Sequence, residues 1–374
     1  MIYLYSQLQQ AKNWLQHYQG KEATFACILG FTATGLIPGI SAAGATPEDR
    51  RYTAIADGEF LINGAQANPE YPLPYLTKGI SPVLISRAVA EVTDLPLYLF
   101  DAGLPIAPSV TAIDLGGKAA GCVTSGSAID RAIVKHLFNQ GLQWGQELIA
   151  TKDYLIIGEC VVGGTTTALA VLVGLGIDAF GMVNSSHPCC NHEQKWSIVQ
   201  QGLQNSGLNL TEPQDPFSVV AAVGDPMQIV AAGMAIAASQ CGGVLLAGGT
   251  QMLAVYALIR QIVSQTSCSA QLEQIIVGTT RWVAEDSTGN TVQLARQIDG
   301  APLIATGLNF ATARYSGFRS YESGYVKEGV GAGGCAIYAH LKAQKSSSQL
   351  LTNIEELFER YRNLRLDAPK TPSH

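Results

Sequence analysis

Glu328 stands immediately before a glycine-rich run, Gly329-Val-Gly-Ala-Gly-Gly334, that passes into an apolar stretch with helical spacing. A carboxylate facing a glycine-lined, poorly hydrated pocket has its pKa raised toward the range of a general base. The plain alternative is a helix-start Glu favoured by the helix dipole. A second constellation is Tyr154-Leu-Ile-Ile-Gly-Glu159-Cys-Val-Val-Gly163-Gly164-Thr165-Thr166-Thr167, a strand pattern ending in Glu, then a glycine pair and a helix opening on threonines. Amides and hydroxyls at such a turn hold a phosphate or carboxylate, and glycine lets the ligand approach the backbone. The same residues also serve an ordinary tight turn with a threonine cap. The third constellation runs from Gly181 through Asn184 to Lys195, with His187, Cys189, Cys190 and His192 between them. Lys195 can offer a fixed positive charge to a phosphate, or be a solvated helix lysine.

Several chemistries fail on spacing. The turn at Gly163 lacks the Gly-Lys-Ser/Thr ending of a triphosphate-binding loop. Gly329, Gly331 and Gly334 spell a dinucleotide-type pattern, but no apolar strand precedes it and too little chain follows for a βαβ unit. The His187–His192 cluster matches no metal-ligand spacing, and adjacent cysteines rarely ligate one ion, so no metal is expected. The eight cysteines form no pair motif or disulfide framework, which suits reduced thiols and a cytoplasmic setting. The amino-terminal residues show no export signal. A net charge of -6 with scattered basic residues argues against nucleic acid. Glu159 and Asp225-Pro226 interrupt the two long apolar stretches, so no membrane partner is expected.

Positioning such residues requires a sheet. Apolar, β-branched runs at Phe25–Leu29, Leu97–Phe100, Tyr154–Ile157, Ala179–Val183, Val244–Ala247, Ile275–Val277 and Leu303–Ala305 read as buried parallel strands. Helical spacing separates them, as in Ile129, Ile133, Leu137, Leu142 and Leu148, and Asp225-Pro226 can cap a helix. The expected class is α/β, a mostly parallel sheet flanked by helices in a Rossmann-like three-layer arrangement. The α/β core should span 21–321, with a smaller helical part from 1–20 and 322–366 and a disordered tail at 367–374. With 47% hydrophobic and 14% charged residues, a closed oligomer is a fair expectation.

Taken in order, Gly158-Glu159 with Gly163-Gly164-Thr165-Thr166, the stretch Gly181 to Lys195, and Glu328-Gly329-Val330-Gly331-Ala332 resemble the nicotinate-nucleotide:dimethylbenzimidazole phosphoribosyltransferases of cobalamin assembly. Gly39-Ile-Ser-Ala-Ala-Gly-Ala-Thr-Pro-Glu48 is similar to their divergent cyanobacterial and archaeal branch. The resemblance implies that ribose 5-phosphate moves from nicotinate mononucleotide to a benzimidazole-like base, with nicotinate released. It implies Glu328 as general base, with Glu159 beside it. It places Gly163, Gly164, Thr165, Thr166, Asn184, Lys195, Gly329 and Gly331 at the substrate. It further implies small-molecule substrates only, no cofactor, and a homodimer. The family's usual E-M-G-I-G-N-T-T turn differs here: Val161 replaces a glycine and Gly164 an asparagine. Residues around Ser81 to Glu91, where the base pocket is expected, do not match closely enough to transfer roles. Another acceptor, hydrolysis, or a non-catalytic nucleotide sensor are the competing readings.

Overall fold

The structure, a computed structural model, describes residues 1–74, 76 and 78–367. The tail expected to be disordered lies outside them, apart from Asp367, which ends a helix. Eight strands form one sheet: β1 (Ile2–Leu4), β2 (Ala23–Leu29), β3 (Leu97–Asp101), β4 (Ile113–Asp114), β5 (Tyr154–Cys160), β6 (Gly243–Ala247), β7 (Ile275–Thr280) and β8 (Leu303–Thr306). Their order is β1-β8-β7-β6-β5-β2-β3-β4, all neighbours parallel except β1 against β8. The protein is therefore α/β with helices on both faces. Every residue of β2, β5, β6, β7 and β8 is buried, the reason these strands read as unbroken apolar runs.

Side chains alternate along a strand, so each strand feeds two cores. On β5, Leu155 and Ile157 enter a core with the helices Arg131–Ile149, Gly164–Gly174, Pro226–Ser239 and Thr250–Gln265. Tyr154 and Ile156 enter the opposite core, with the helices Leu8–Tyr18, Val83–Thr93, Ala332–Ala343 and Ser347–Asp367. From β2 the chain moves outward to β3 and then β4; from there it crosses to β5 on the other side of β2. The order thus reverses between β2 and β5, and ligands of open α/β sheets bind beyond the strand ends at such a point.

Two expectations are corrected. Ala179–Val183 is a turn, not a strand, with Gly181 at φ +74°, because the chain there passes over the sheet's end instead of joining it. The first residues are not wholly helical, since Ile2–Leu4 form the antiparallel edge strand β1. The expected cap at Asp225 is present as a full capping box: its side chain accepts from Met227 N–H, Gln228 Oε1 accepts from Asp225 N–H, and Pro226 begins the helix. Of the chain ends, Ala332–Ala343 lies against the sheet and Ser347–Asp367 against Val83–Thr93.

The helices Arg131–Ile149 and Pro226–Ser239 cross at glycines. A Cβ at Gly141 would stand 2.4 Å from the Val230 carbonyl oxygen, and one at Gly145 2.4 Å from that of Met234. No rotamer relieves a clash with backbone. Gly141→Ala should therefore lower stability by roughly 1–3 kcal/mol through overpacking, although alanine is intrinsically the better helix former. A urea denaturation midpoint at or above the wild-type value would contradict this.

Candidate active site

One cavity lies at the switch point. It has a volume of about 160 Å³ and is bounded by the end of β5 and its turn (Glu159–Thr165), by Gly249–Gln251 after β6, by Asn184–Ser186, and by Val326–Val330. The remaining wall includes Asp57, Lys78, Ser81, Pro82 and the Ile40–Ala43 segment. The three constellations of the sequence, far apart in the chain, share this one space.

Backbone proximity brings them together. Val330 N–H donates to the Glu159 carbonyl at 3.0 Å, laying the Glu328 loop across the end of β5. Glycine permits the contact: a Cβ on Gly158 would lie 2.6 Å from the Phe25 ring, and one on Gly331 would lie 2.8 Å from it. The third stretch is tied in by Val326 N–H to Ser186 O (3.1 Å) and by Lys327 Nζ to His187 O (3.0 Å). Lys327 is buried and ion-paired with Asp286 at 2.5 Å; Asp286 also accepts from Asn184 Nδ2 at 2.9 Å.

Glu328 is pinned. Its Oε2 accepts from Thr280 N–H (2.9 Å) and Thr279 Oγ1 (3.0 Å), and its Oε1 from Gly333 N–H (3.0 Å) and Gly329 N–H (3.2 Å). It is thus both a helix-start carboxylate and a cavity wall, so the two roles considered for it are combined. Burial pushes its pKa up and the four donors pull it down, with burial the larger effect.

Glu159 is poorer in donors. Its Oε2 accepts Val161 N–H at 2.9 Å, and the buried Asp225 carboxylate lies close behind. Desolvation first, and Asp225 second, raise its pKa to about 8, so it is largely protonated at neutral pH. Asp225 is held by Thr167 Oγ1 at 2.5 Å.

The turn at Gly163 adopts φ +91° and starts the helix Gly164–Gly174, with Gly163, Gly164 and Thr165 in the lining. The neighbouring turn, Gly248-Gly249-Thr250, repeats the Gly-Gly-Thr pattern after β6 and opens a second helix into the same space. A Cβ on Gly164 would sit 2.0 Å from Gln251 Nε2, so the turns touch. Thr250 Oγ1 is buried without a partner. Asn184 and Gly329 also line the cavity, whereas Thr166, Lys195 and Gly331 stand behind it. Lys195 is completely buried, donating to Asn184 O (3.0 Å) and Asn191 Oδ1 (2.5 Å), and desolvation lowers its pKa to about 8. Its position supports the Asn184 segment from beneath. Among the described residues, no group of three or more His, Cys, Asp or Glu side chains is arranged to hold a metal, and no helix is long and apolar enough to cross a membrane.

Sequence reasoning missed Asp57, Lys327 and Thr250, and it placed the base pocket around Ser81 without giving that residue a role. For Thr250 the signal was present, a second Gly-Gly-Thr after a strand. An Asp in mid-helix carries no comparable mark.

Fold and site together define a doubly wound α/β protein with a carboxylate-walled cavity and two glycine-rich helix starts at its switch point. A sequence profile described as "Phosphoribosyltransferase" matches residues 83–270. UPF0284 proteins of Gloeothece citriformis and Crocosphaera subtropica are 62% and 58% identical, covering 96% and 98% of this chain and 96% and 100% of theirs. A solved nicotinate-nucleotide-dimethylbenzimidazole phosphoribosyltransferase from Thermus thermophilus aligns with TM-score 0.58 at 16% identity, over 93% of this chain and 92% of that one. The chain belongs to this phosphoribosyltransferase family, in its UPF0284 group.

The protonation of Glu159 has a measurable effect on stability. An acid whose folded-state pKa lies above its ordinary value keeps its proton on folding. Its stabilising contribution is complete below the ordinary value, 4.5, and is lost as pH rises through about 8. Wild-type stability to urea should therefore fall between pH 5 and pH 8. Glu159→Gln should flatten that fall and be the more stable protein at pH 8, by an amount on the order of a few kcal/mol. Equal slopes for the two proteins would refute the assignment.

Proposed function

We propose that this protein transfers the ribose 5-phosphate of nicotinate mononucleotide to a benzimidazole-like base, forming the α-riboside phosphate used as a cobalamin lower ligand. The observation that carries the reading is the opposition within one cavity of a pinned carboxylate, Glu328, and two touching helix starts, Gly163–Thr165 and Gly249–Gln251. The helix starts suit the phosphate: the helix dipole favours an anion there, glycine admits close approach, and Thr250 brings an unpartnered hydroxyl.

The bond changes need little further help. The C1′–nitrogen bond to the cationic pyridine breaks, its electron pair returning to nicotinate. The lone pair of one base nitrogen forms the new bond to C1′. The proton on the other nitrogen passes to Glu328, whose pKa burial has raised toward that of a useful base. The four donors around Glu328 fix its orientation before the base arrives, which lowers the entropy to be lost on reaction, and the longest of these bonds, from Gly329 N–H at 3.2 Å, is the one the N–H of the base displaces. Glu159, neutral at pH 7, is suited to holding a ribose hydroxyl by hydrogen bonding. The family relationship supports a pentosyl transfer of this kind.

Purified protein with nicotinate mononucleotide and 5,6-dimethylbenzimidazole should release nicotinate and form a riboside phosphate. Glu328→Gln should be slower by about a hundredfold or more. Retention of full activity by that variant would remove Glu328 as base. Nucleotide bound or hydrolysed without base ribosylation would replace transfer with the sensor or hydrolase reading.

A further inference from the structure

We infer that Asp57, oriented by Ser81, is a specificity-determining residue that recognises a hydrogen-bond donor, such as an amino group, on the edge of the acceptor base remote from its reacting nitrogens. This rests on the proposed transfer to an aromatic base and narrows which base it is.

Other enclosed carboxylates of this protein are well supplied with donors. Glu59, on the same helix (Arg50–Asn63) but outside this cavity, accepts from Glu70 N–H (2.9 Å), Tyr71 N–H (2.8 Å) and Ser109 Oγ (2.7 Å). Glu328 accepts four donors. Asp57 is equally buried, at 4% exposure, yet its partners among the described residues are only the Ser81 hydroxyl at 2.6 Å and the Cys160 thiol at 3.5 Å. A thiol is a weak donor, so Oδ2 is close to unpartnered. A carboxylate has room for about four donors, and burying one without them is costly. Asp57 lines the cavity, and there a ligand can complete its set.

Its position suits the base and not the phosphate. Cys160 and Asp57 lie on the face of the sheet opposite Glu159 and the Gly163 helix, as strand alternation requires. Ser81 and Pro82 abut the Glu328 loop: a Cβ on Gly329 would be 3.1 Å from Pro82 Cγ. Ser81 Oγ, besides donating to Asp57, accepts Val83 N–H at 3.3 Å, which fixes it at the start of the helix Val83–Thr93. An aromatic base whose reacting N–H meets Glu328 thus has Asp57 beside it on the wall away from the helix starts. A methyl group there would leave the carboxylate buried and unpaired, whereas an amine would satisfy it.

The test uses 5-aminobenzimidazole and 5-methylbenzimidazole, which differ by an amine against a methyl of nearly the same size. Calorimetric affinities of both for the full chain, with and without nicotinate mononucleotide, are compared between wild type and Asp57→Leu. Wild type should prefer the amino base by about 10–100-fold, the effect of a hydrogen bond to a charged group, and Asp57→Leu should abolish or reverse that preference. Because both bases are measured on one preparation, a loss of folded protein cancels from the ratio. Equal affinities in wild type, no binding of either base, or a preference surviving in Asp57→Leu would each overturn the inference. Preference without ribosyl transfer would sink the transferase reading and leave this one standing. Transfer without preference would do the reverse.

Discussion

The site depends on a stretch of backbone that local preference would not choose. Val326, Lys327 and Val330 have φ of 68°, 70° and 51°, values that cost an L-residue roughly 1–2 kcal/mol each, and two of them are β-branched. Val326 and Lys327 are the centres of successive γ-turns, closed by Lys327 N–H to Tyr325 O (2.9 Å) and Glu328 N–H to Val326 O (3.0 Å). Such a path persists only where its surroundings over-determine it. Ser86 Oγ holds Val330 O at 2.6 Å, Thr280 Oγ1 holds Lys327 O at 2.6 Å, and the buried Lys327–Asp286 pair anchors the loop to the neighbouring segment. The orientation of Glu328 follows from these contacts.

The second constraint is electrostatic. Three cavity carboxylates have raised pKa: Asp57 and Glu159 are buried, Glu328 is half-buried, and desolvation brings Asp57 to about 6. The buried cation nearest them, Lys327, is already committed to Asp286. Such a cavity is suited to ligands that bring hydrogen-bond donors, as the N–H heterocycle of the proposed reaction does. In the proposed reaction the phosphate falls to the helix starts at the other wall, and Lys195, buried behind the lining, does not reach it.

The central strands were legible because both faces are covered, which makes each an unbroken apolar run. The same rule misread Ala179–Val183: a short apolar run is also what a buried turn looks like, and periodicity cannot separate them. It missed β1, a three-residue edge strand whose exposed Tyr3 and Leu4 leave no burial pattern. Among site residues, Glu159, Gly163 and Glu328 stood out because glycine beside a chemically active residue at a strand end is unusual. Asp57 did not, since burial of a helix residue shows only in what packs against it.

By itself, the sequence determined the α/β class, the strand-end glycine turns and the three stretches that reach the cavity, because burial periodicity and glycine placement are local and written residue by residue. Only the tertiary structure decided which groups face the ligand. It put Lys195 beneath the site, set Gly164 against Gln251 and brought Asp57 into the cavity that Glu328 walls, because donors, burial and neighbouring charge are set by elements up to hundreds of residues apart in the chain.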